Sequence, residues 1–262
     1  MAVVKRLSYA DRQLLEKQDA YFLPLPVTTD ARSHYAHLRQ MVRLFRNRQS
    51  ASPCSDLVAY ISSLYERTVV ATNPNFSATI ACRAGCTYCC AQPVSVTLPE
   101  AFLVANSIRS RPDIVAAVLE SAHRMRDRDP RRTGPWTTCP LLTDKSCSTY
   151  TARPFNCRSF ISIDVNDCVK AFALFGANNV RAPVAAVQAA SYCRLFLHST
   201  LKHYGKPYCN YELVAAVAVI LSQEDAEARW LSGDDIFAHV QPLSDNQDEA
   251  VTKMAMEVAR TL

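Results

Sequence analysis

Apolar residues recur at helical spacing along most of the chain. Leu38, Met41, Val42 and Phe45 fall at offsets of 0, 3, 4 and 7 residues, which places all four on one face of a helix. Similar patterns predict helices over residues 9–21, 30–48, 56–70, 101–108, 114–119, 164–175, 184–204 and 211–231. Because no succession of strand patterns accompanies them, we predict a mostly α-helical fold with a cysteine-rich, loop-rich middle segment.

Several of these helices carry start and stop signals. Thr97 precedes Glu100 by three residues, which predicts a capping box at the start of the 101–108 helix. Asn210 is the predicted N-cap of the 211–231 helix. Gly176, Gly205 and Gly233 follow predicted helix ends, where C-cap glycines are expected.

Composition favours one globular unit over residues 1–262. Hydrophobic residues make up 49% and charged residues 20% of the chain, which argues against disorder. Only 5 of 262 residues are glycine, so few positions suit hairpin turns or phosphate-binding loops. This scarcity again favours helices. The chain has no apolar run near the roughly 20 residues that a membrane span needs, and no export signal. We therefore expect a soluble, cytoplasmic protein.

The net charge of +5 is too modest to indicate nucleic-acid binding. Five arginines between positions 123 and 134 form a basic stretch without interleaved aromatic residues, and we predict a solvated loop there. The sequence leaves open whether the chain binds another protein. The 6 histidines show no paired metal-ligand spacing beside a carboxylate, so hydrolytic catalysis has little support.

Eleven cysteines are the unusual feature of the sequence. In a reducing compartment, clustered thiols bind metal or catalyse more often than they form disulfides. Cys82, Cys86, Cys89 and Cys90 lie either on one face of an α-helix or in a loop that Gly85 allows to wrap around a metal. Since adjacent Cys89 and Cys90 point in different directions, two centres or one polynuclear centre are expected.

Four further cysteines complete a candidate metal region over residues 82–168. The eight predicted ligands are Cys82, Cys86, Cys89, Cys90, Cys139, Cys147, Cys157 and Cys168. Eight thiolates fit two four-cysteine zinc sites, or one iron-sulfur cluster with a separate zinc, and spacing does not choose between them. We predict that Cys54, Cys193 and Cys209 are ordinary buried thiols, with Cys193 the alternative ligand to Cys168.

Three arginines beside these cysteines are candidates for stabilising bound thiolates. Arg83, Arg153 and Arg158 each lie within a few residues of a predicted ligand. A nearby cation lowers a thiol pKa and stabilises the thiolate. The alternative is that they are ordinary surface charges.

The order of the cysteine motifs is similar to that of a known family. Cys82-Arg83-Ala84-Gly85-Cys86-Thr87-Tyr88-Cys89-Cys90, Cys139-Pro140-Leu141-Leu142, Cys147-Ser148-Thr149-Tyr150 and Arg153-Pro154-Phe155-Asn156-Cys157-Arg158 resemble the YkgJ-type cysteine-cluster family. The resemblance covers residues 82–168 and, more weakly, 210–237. It implies a zinc- or iron-chelating domain. The flagellin lysine N-methylases are similar in these motifs but longer, so enzymatic activity does not follow.

Three functions are compatible with the sequence. The first is an accessory or redox metal protein that holds zinc or an iron-sulfur cluster. The second is a radical S-adenosylmethionine-type protein lysine N-methylase, because Cys82, Cys86 and Cys89 have the spacing of ligands that leave one iron open. The third is a structural zinc module that presents a protein-binding surface.

Overall fold

The computed structural model describes residues 31–72, 75–125, 137–174 and 180–243. The described chain is mostly helical. Its α-helices are α1 (Ala31–Phe45), α2 (Pro53–Thr72), α3 (Phe76–Thr79), α4 (Leu98–Ile108), α5 (Pro112–Met125), α6 (Phe155–Ser159), α7 (Val165–Ala173), α8 (Val184–His203), α9 (Leu213–Leu221) and α10 (Ala226–Ser232). The strands are β1 (Ser95–Val96), β2 (Leu142–Thr143), β3 (Ser146–Cys147) and β4 (Tyr211–Glu212). Single 3₁₀ turns cover Tyr88–Ala91 and Tyr150–Ala152.

Helices α2, α4, α8 and α9 form the body of the fold. Helix α2 packs against α1, α4 and α8, while α9 packs against α4 and α5. Phe102 of α4 and Phe196 of α8 are among the largest fully buried side chains. Burial of such apolar side chains is the main stabilising contribution to a helical fold of this kind. Among the described residues, no helix is both long enough and apolar enough to cross a membrane.

Most predicted helices in the described ranges are confirmed with small changes of boundary. Leu38, Met41, Val42 and Phe45 are all buried on one side of α1. The capping box at the start of α4 is present, and Gly205 and Gly233 have positive φ angles after α8 and α10. The predicted helix over 9–21 and the glycine at 176 lie outside the described residues.

The sequence predicts a loop over the basic stretch from 123 to 134, but the beginning of this stretch is helical. His123, Arg124 and Met125 form the last turn of α5. Arg124 there makes an exposed ion pair with Glu120, one helical turn earlier, at 3.1 Å. Such i, i+4 pairs extend a helix into a polar sequence. Residues 126–134 lie outside the described residues.

The prediction of a single helix over 211–231 is wrong. This stretch begins with a strand, and the rest of it is divided between α9 and α10. Tyr211 and Glu212 form β4, which pairs antiparallel with β1. Glu212, rather than Asn210, is the N-cap of α9, and its carboxylate accepts a hydrogen bond from the Ala215 amide at 2.8 Å. Helix α9 then ends at Leu221, where Arg109 donates to the carbonyl of Ile220. These long-range contacts satisfy helix-terminal groups that the local sequence leaves open.

The cysteine-bearing segments pack against this helical body and against one another. Helix α6 packs against α8 and β1, the 150–152 turn packs against α4, and α7 packs against the 88–91 turn. Strands β2 and β3 form a hairpin in which Leu142 pairs with Cys147. Its two turn residues, Asp144 and Lys145, adopt positive φ without glycine, so the shortage of glycine does not prevent a hairpin here.

Candidate metal centre

The first four cysteines lie in a loop and a 3₁₀ turn. Cys82 and Cys86 flank a tight turn in which Gly85 has a φ of 81°, a conformation that favours glycine. The Cys86 amide donates to the Arg83 carbonyl at 3.1 Å. Cys89 and Cys90 follow in the 88–91 turn. The α-helical alternative for this segment is therefore wrong, and the loop alternative is confirmed.

Cys168 joins Cys82, Cys86 and Cys89, and we call these four residues thiol group one. Burial raises the pKa of Cys168, a hydrogen bond with Ser162 lowers it, and the charges of the other three thiols raise it. Burial also raises the pKa of Cys82, and the Cys89 and Cys86 charges add to that increase. The four thiols therefore lie close enough to act on one another electrostatically, although α7 brings Cys168 from far along the chain.

Ser162 holds the two distant parts of thiol group one together. Its backbone amide donates to the Cys82 sulfur at 3.4 Å, and its carbonyl accepts from the Ala81 amide at 2.7 Å. Its hydroxyl donates to the Asp164 carbonyl at 2.7 Å and is near enough to Cys168 to lower the pKa of that thiol. An amide that donates to sulfur stabilises the thiolate form.

Cys90, Cys139, Cys147 and Cys157 are also neighbours, and we call them thiol group two. The charges of Cys139, Cys147 and Cys157 all act to raise the pKa of Cys90. Burial, followed by a smaller effect of the other thiols, raises the pKa of Cys139 to about 11 and raises that of Cys157 further. The Cys139 amide donates to the Cys90 carbonyl at 2.7 Å, which fixes the 139 segment against the 88–91 turn.

The adjacent cysteines 89 and 90 connect the two groups. A hydrogen bond from the Cys89 thiol is the largest influence on each, raising the pKa of Cys89 and lowering that of Cys90. Cys89 also interacts electrostatically with Cys139 and Cys157. In sequence order, Cys90 belongs to the first four cysteines and Cys168 to the last four. In the fold, Cys90 belongs to thiol group two and Cys168 to thiol group one.

The three candidate arginines have different surroundings. Burial raises the pKa of Cys82, a hydrogen bond with Cys90 and burial raise that of Cys89, and the charge of Arg153 opposes both increases. The Arg153 guanidinium lies 3.8 Å from the centre of the Tyr150 ring. Arg83 is exposed. Arg158 is buried and binds Glu66 at 2.7 Å and the carbonyls of Arg153 and Thr151. Arg153 therefore acts on two thiols of thiol group one.

All eleven cysteines lie in the described ranges as free thiols. With the side chains in their present rotamers, no three histidine, cysteine, aspartate or glutamate groups in the described ranges converge on a point that could hold a metal ion. A change of χ1 between staggered wells moves a cysteine sulfur without moving the backbone. Each thiol group is therefore a set of neighbouring sulfur donors whose side chains would have to change rotamer to converge on one metal ion.

No family model, curated protein or solved structure matches this chain. Membership of the YkgJ-type cysteine-cluster family therefore stays a prediction.

Glu100 is a supporting residue whose full role the sequence did not indicate. One carboxylate oxygen accepts from the amide and the hydroxyl of Thr97, each at 2.8 Å, as a capping box requires. The other oxygen accepts from the Phe155 amide at 2.7 Å. Phe155 begins the helix that carries Cys157, so buried Glu100 fastens thiol group two to the helical body. Only the contact with Thr97, the capping box, is predictable from the local sequence.

The three remaining cysteines are separate from both thiol groups. Cys54 and Cys193 are fully buried, as predicted, and burial raises the pKa of each. Cys209 is half-buried, so the prediction of a buried thiol is wrong at that position. Cys193 lies in the core on α8, so Cys168 is the cysteine that stands beside Cys82, Cys86 and Cys89.

Helix α7 offers a test of how Cys168 is positioned. Asp164 is the N-cap of α7, accepts from the Asn166 amide at 2.9 Å, and pairs with Arg181 at 2.7 Å. Asp164→Ala is expected to lower the free energy of unfolding by about 1 kcal/mol, because an orphan helix-terminal amide loses its acceptor. Urea denaturation measures this change. Lys170→Ala, at an exposed position of the same helix, is the control, and equal stability of the two variants would contradict the capping role.

Proposed function

We propose that this chain is a metal-binding protein that holds zinc or an iron-sulfur cluster through two groups of four cysteine thiolates. The observation that carries this proposal is the meeting of thiols from separate segments. Cys168 arrives from α7 to complete the set of Cys82, Cys86 and Cys89, and three distant cysteines gather around Cys90. Free cysteines that serve only as small apolar side chains have no reason to form two sets of four.

The donor set favours metals that prefer sulfur ligands. Four thiolates match a closed tetrahedral zinc site or the ligands of one iron-sulfur cluster. Without a cation, burial disfavours the thiolates, as the raised pKa values of Cys82, Cys139 and Cys157 indicate. A bound metal ion supplies the positive charge that reverses this preference, and it releases protons as it binds.

The division of Cys89 and Cys90 between two groups favours two centres. Cys89 interacts with Cys90 and also with Cys139 and Cys157, so two centres that share this boundary would lie close together, and one polynuclear centre is the alternative. The peptide bond between Cys89 and Cys90 would join two such centres. This arrangement suits a compact metal module in an accessory, redox or structural role.

Radical S-adenosylmethionine chemistry has less support. It needs three cysteine ligands and one iron that stays open for the cofactor, whereas a fourth thiol, Cys168, lies beside Cys82, Cys86 and Cys89. In the described part of the chain the strands are two residues long, which offers no barrel to carry such a site. A four-thiolate site closed to further ligands is the better fit.

Elemental analysis of anaerobically purified protein tests the proposal. Zinc, iron and acid-labile sulfide are quantified, and the ultraviolet-visible spectrum is recorded. About two zinc ions per chain with no visible absorption would identify two zinc sites, and iron with matching sulfide and a brown colour would identify a cluster. A reduced chain that stays metal-free after incubation with zinc, or with ferrous iron and sulfide, would overturn the proposal.

A further inference from the structure

A cavity of about 560 Å³ lies beside α6, the helix that carries Cys157. Its wall includes Ser95, Asn156, Phe160, Val187, Arg194 and Glu212. The volume falls within the range of about 300 to 1,000 Å³ that is typical of small-molecule sites. Asn156 directly precedes Cys157, so one wall of the cavity is continuous with the helix that carries a thiol of group two.

Arg194 is held in this wall by a chain of polar contacts. The Asn156 amide nitrogen donates to the Ser95 carbonyl at 2.5 Å and to its hydroxyl at 2.7 Å. The Asn156 carbonyl oxygen in turn accepts from Nη1 of Arg194. With Asn156 fixed at both ends of its amide group, the guanidinium has a defined position. A fixed guanidinium loses little entropy when it binds a ligand.

No ion pair among the described residues neutralises the guanidinium of Arg194. The ion pairs in the described chain involve Arg124, Arg158, Arg181 and Arg229, and none includes Arg194. Glu212 lines the same cavity, but it is buried and its carboxylate caps α9 through the Ala215 amide. A guanidinium carries five N–H donors, and the Asn156 contact uses one of its nitrogens.

We propose that this cavity binds a small organic monocarboxylate with an apolar or aromatic body. Arg194 receives the carboxylate, because its planar guanidinium matches that group in charge and geometry. Phe160 and Val187 contact the apolar body; Val187 is 43% exposed and Phe160 is half-buried. One cation beside a buried acid suits a single negative charge better than the double charge of a phosphate.

The site is adjacent to the metal region through α6, because Asn156 in its wall directly precedes Cys157. Binding of the acid itself needs only Arg194 and the cavity, whereas its placement next to a metal centre rests on the proposed function. A ligand on Arg194 would be connected through Asn156 to Cys157. Metal content and ligand binding are therefore measured on the same samples, so that either can fail without the other.

Isothermal titration calorimetry with phenylacetate is the test. The full-length protein is expected to bind phenylacetate and to bind the neutral phenylacetamide about tenfold more weakly, since the amide lacks the charge that Arg194 recognises. Arg194→Met is expected to weaken phenylacetate binding by about tenfold or more, and Arg194→Lys by less, because lysine keeps the charge without the planar fork. Arg39→Met is the control, since it removes the same charge from an exposed position on α1.

Any one of several results would overturn the inference. They are equal binding of phenylacetate and phenylacetamide, unchanged binding by an Arg194→Met variant whose unfolding midpoint matches that of the wild type, and no binding of phenylacetate, 3-phenylpropionate or hexanoate. Tighter binding of inorganic phosphate than of these acids would also overturn it. Phenylacetate binding by protein that takes up neither zinc nor an iron-sulfur cluster would support the cavity while counting against the metal proposal.

Discussion

Replacing Cys157 by serine is expected to remove metal from thiol group two and leave thiol group one loaded. Cys157 is one of the three thiols whose charges act on Cys90, and serine is a poor ligand for metals that prefer thiolates. Cys86→Ser is expected to show the converse loss from thiol group one. Each variant should retain about half of the wild-type metal.

Stability should follow metal content in these variants. If the substitution weakens metal binding a hundredfold, the free energy of unfolding falls by about 2.7 kcal/mol, because metal that binds the folded chain stabilises it by mass action. Elemental analysis and urea denaturation of the same samples measure both effects. Cys54→Ser is the control: Cys54 is fully buried but stands apart from both thiol groups. Full metal content in Cys86→Ser and Cys157→Ser would contradict the assignment of ligands.

Glu100→Ala should produce a large loss of stability without touching a thiol. The carboxylate accepts three hydrogen bonds, two from Thr97 and one from the Phe155 amide, in a site where the side chain is 3% exposed. Its removal leaves buried donors without an acceptor, each of which costs about 1 to 3 kcal/mol. We expect the free energy of unfolding to fall by about 3 to 4 kcal/mol.

The same change loosens the start of the helix that carries Cys157. Metal affinity of thiol group two should therefore fall, while that of thiol group one should change less. Glu120→Ala is the matched control, since Glu120 is exposed and its ion pair with Arg124 is of the kind worth about 0.5 kcal/mol or less. Chemical denaturation and competition with a chelator measure the two effects. Equal losses in Glu100→Ala and Glu120→Ala would refute the bridging role of Glu100.

Local signals account for the parts of the fold that the sequence predicts well. The apolar face of α1 and the capping box of α4 depend on residues at most seven positions apart, so periodicity and side-chain chemistry identify them. The break between β4, α9 and α10 depends on pairing with Ser95 and on Arg109 at the helix end. Neither partner is close in sequence, and a continuous apolar pattern therefore predicts one helix.

The candidate site, like the fold, is predictable from the sequence only in part. Residue type and clustering indicate which cysteines are candidate ligands, but the exchange of Cys90 and Cys168 between the groups follows from how α7 packs on the 88–91 turn. The second contact of Glu100 and the position of Arg194 also depend on tertiary packing. No local pattern connects Asn156 to a residue on α8.

Extended X-ray absorption fine structure at the edge of the bound metal tests the central claim most directly. Two groups of four thiolates predict a first coordination shell of about four sulfur atoms, at about 2.3 Å if the metal is zinc. The signal should lose sulfur ligands or intensity in Cys86→Ser and Cys157→Ser and stay unchanged in Cys54→Ser. A first shell dominated by nitrogen or oxygen would contradict metal binding by the two thiol groups.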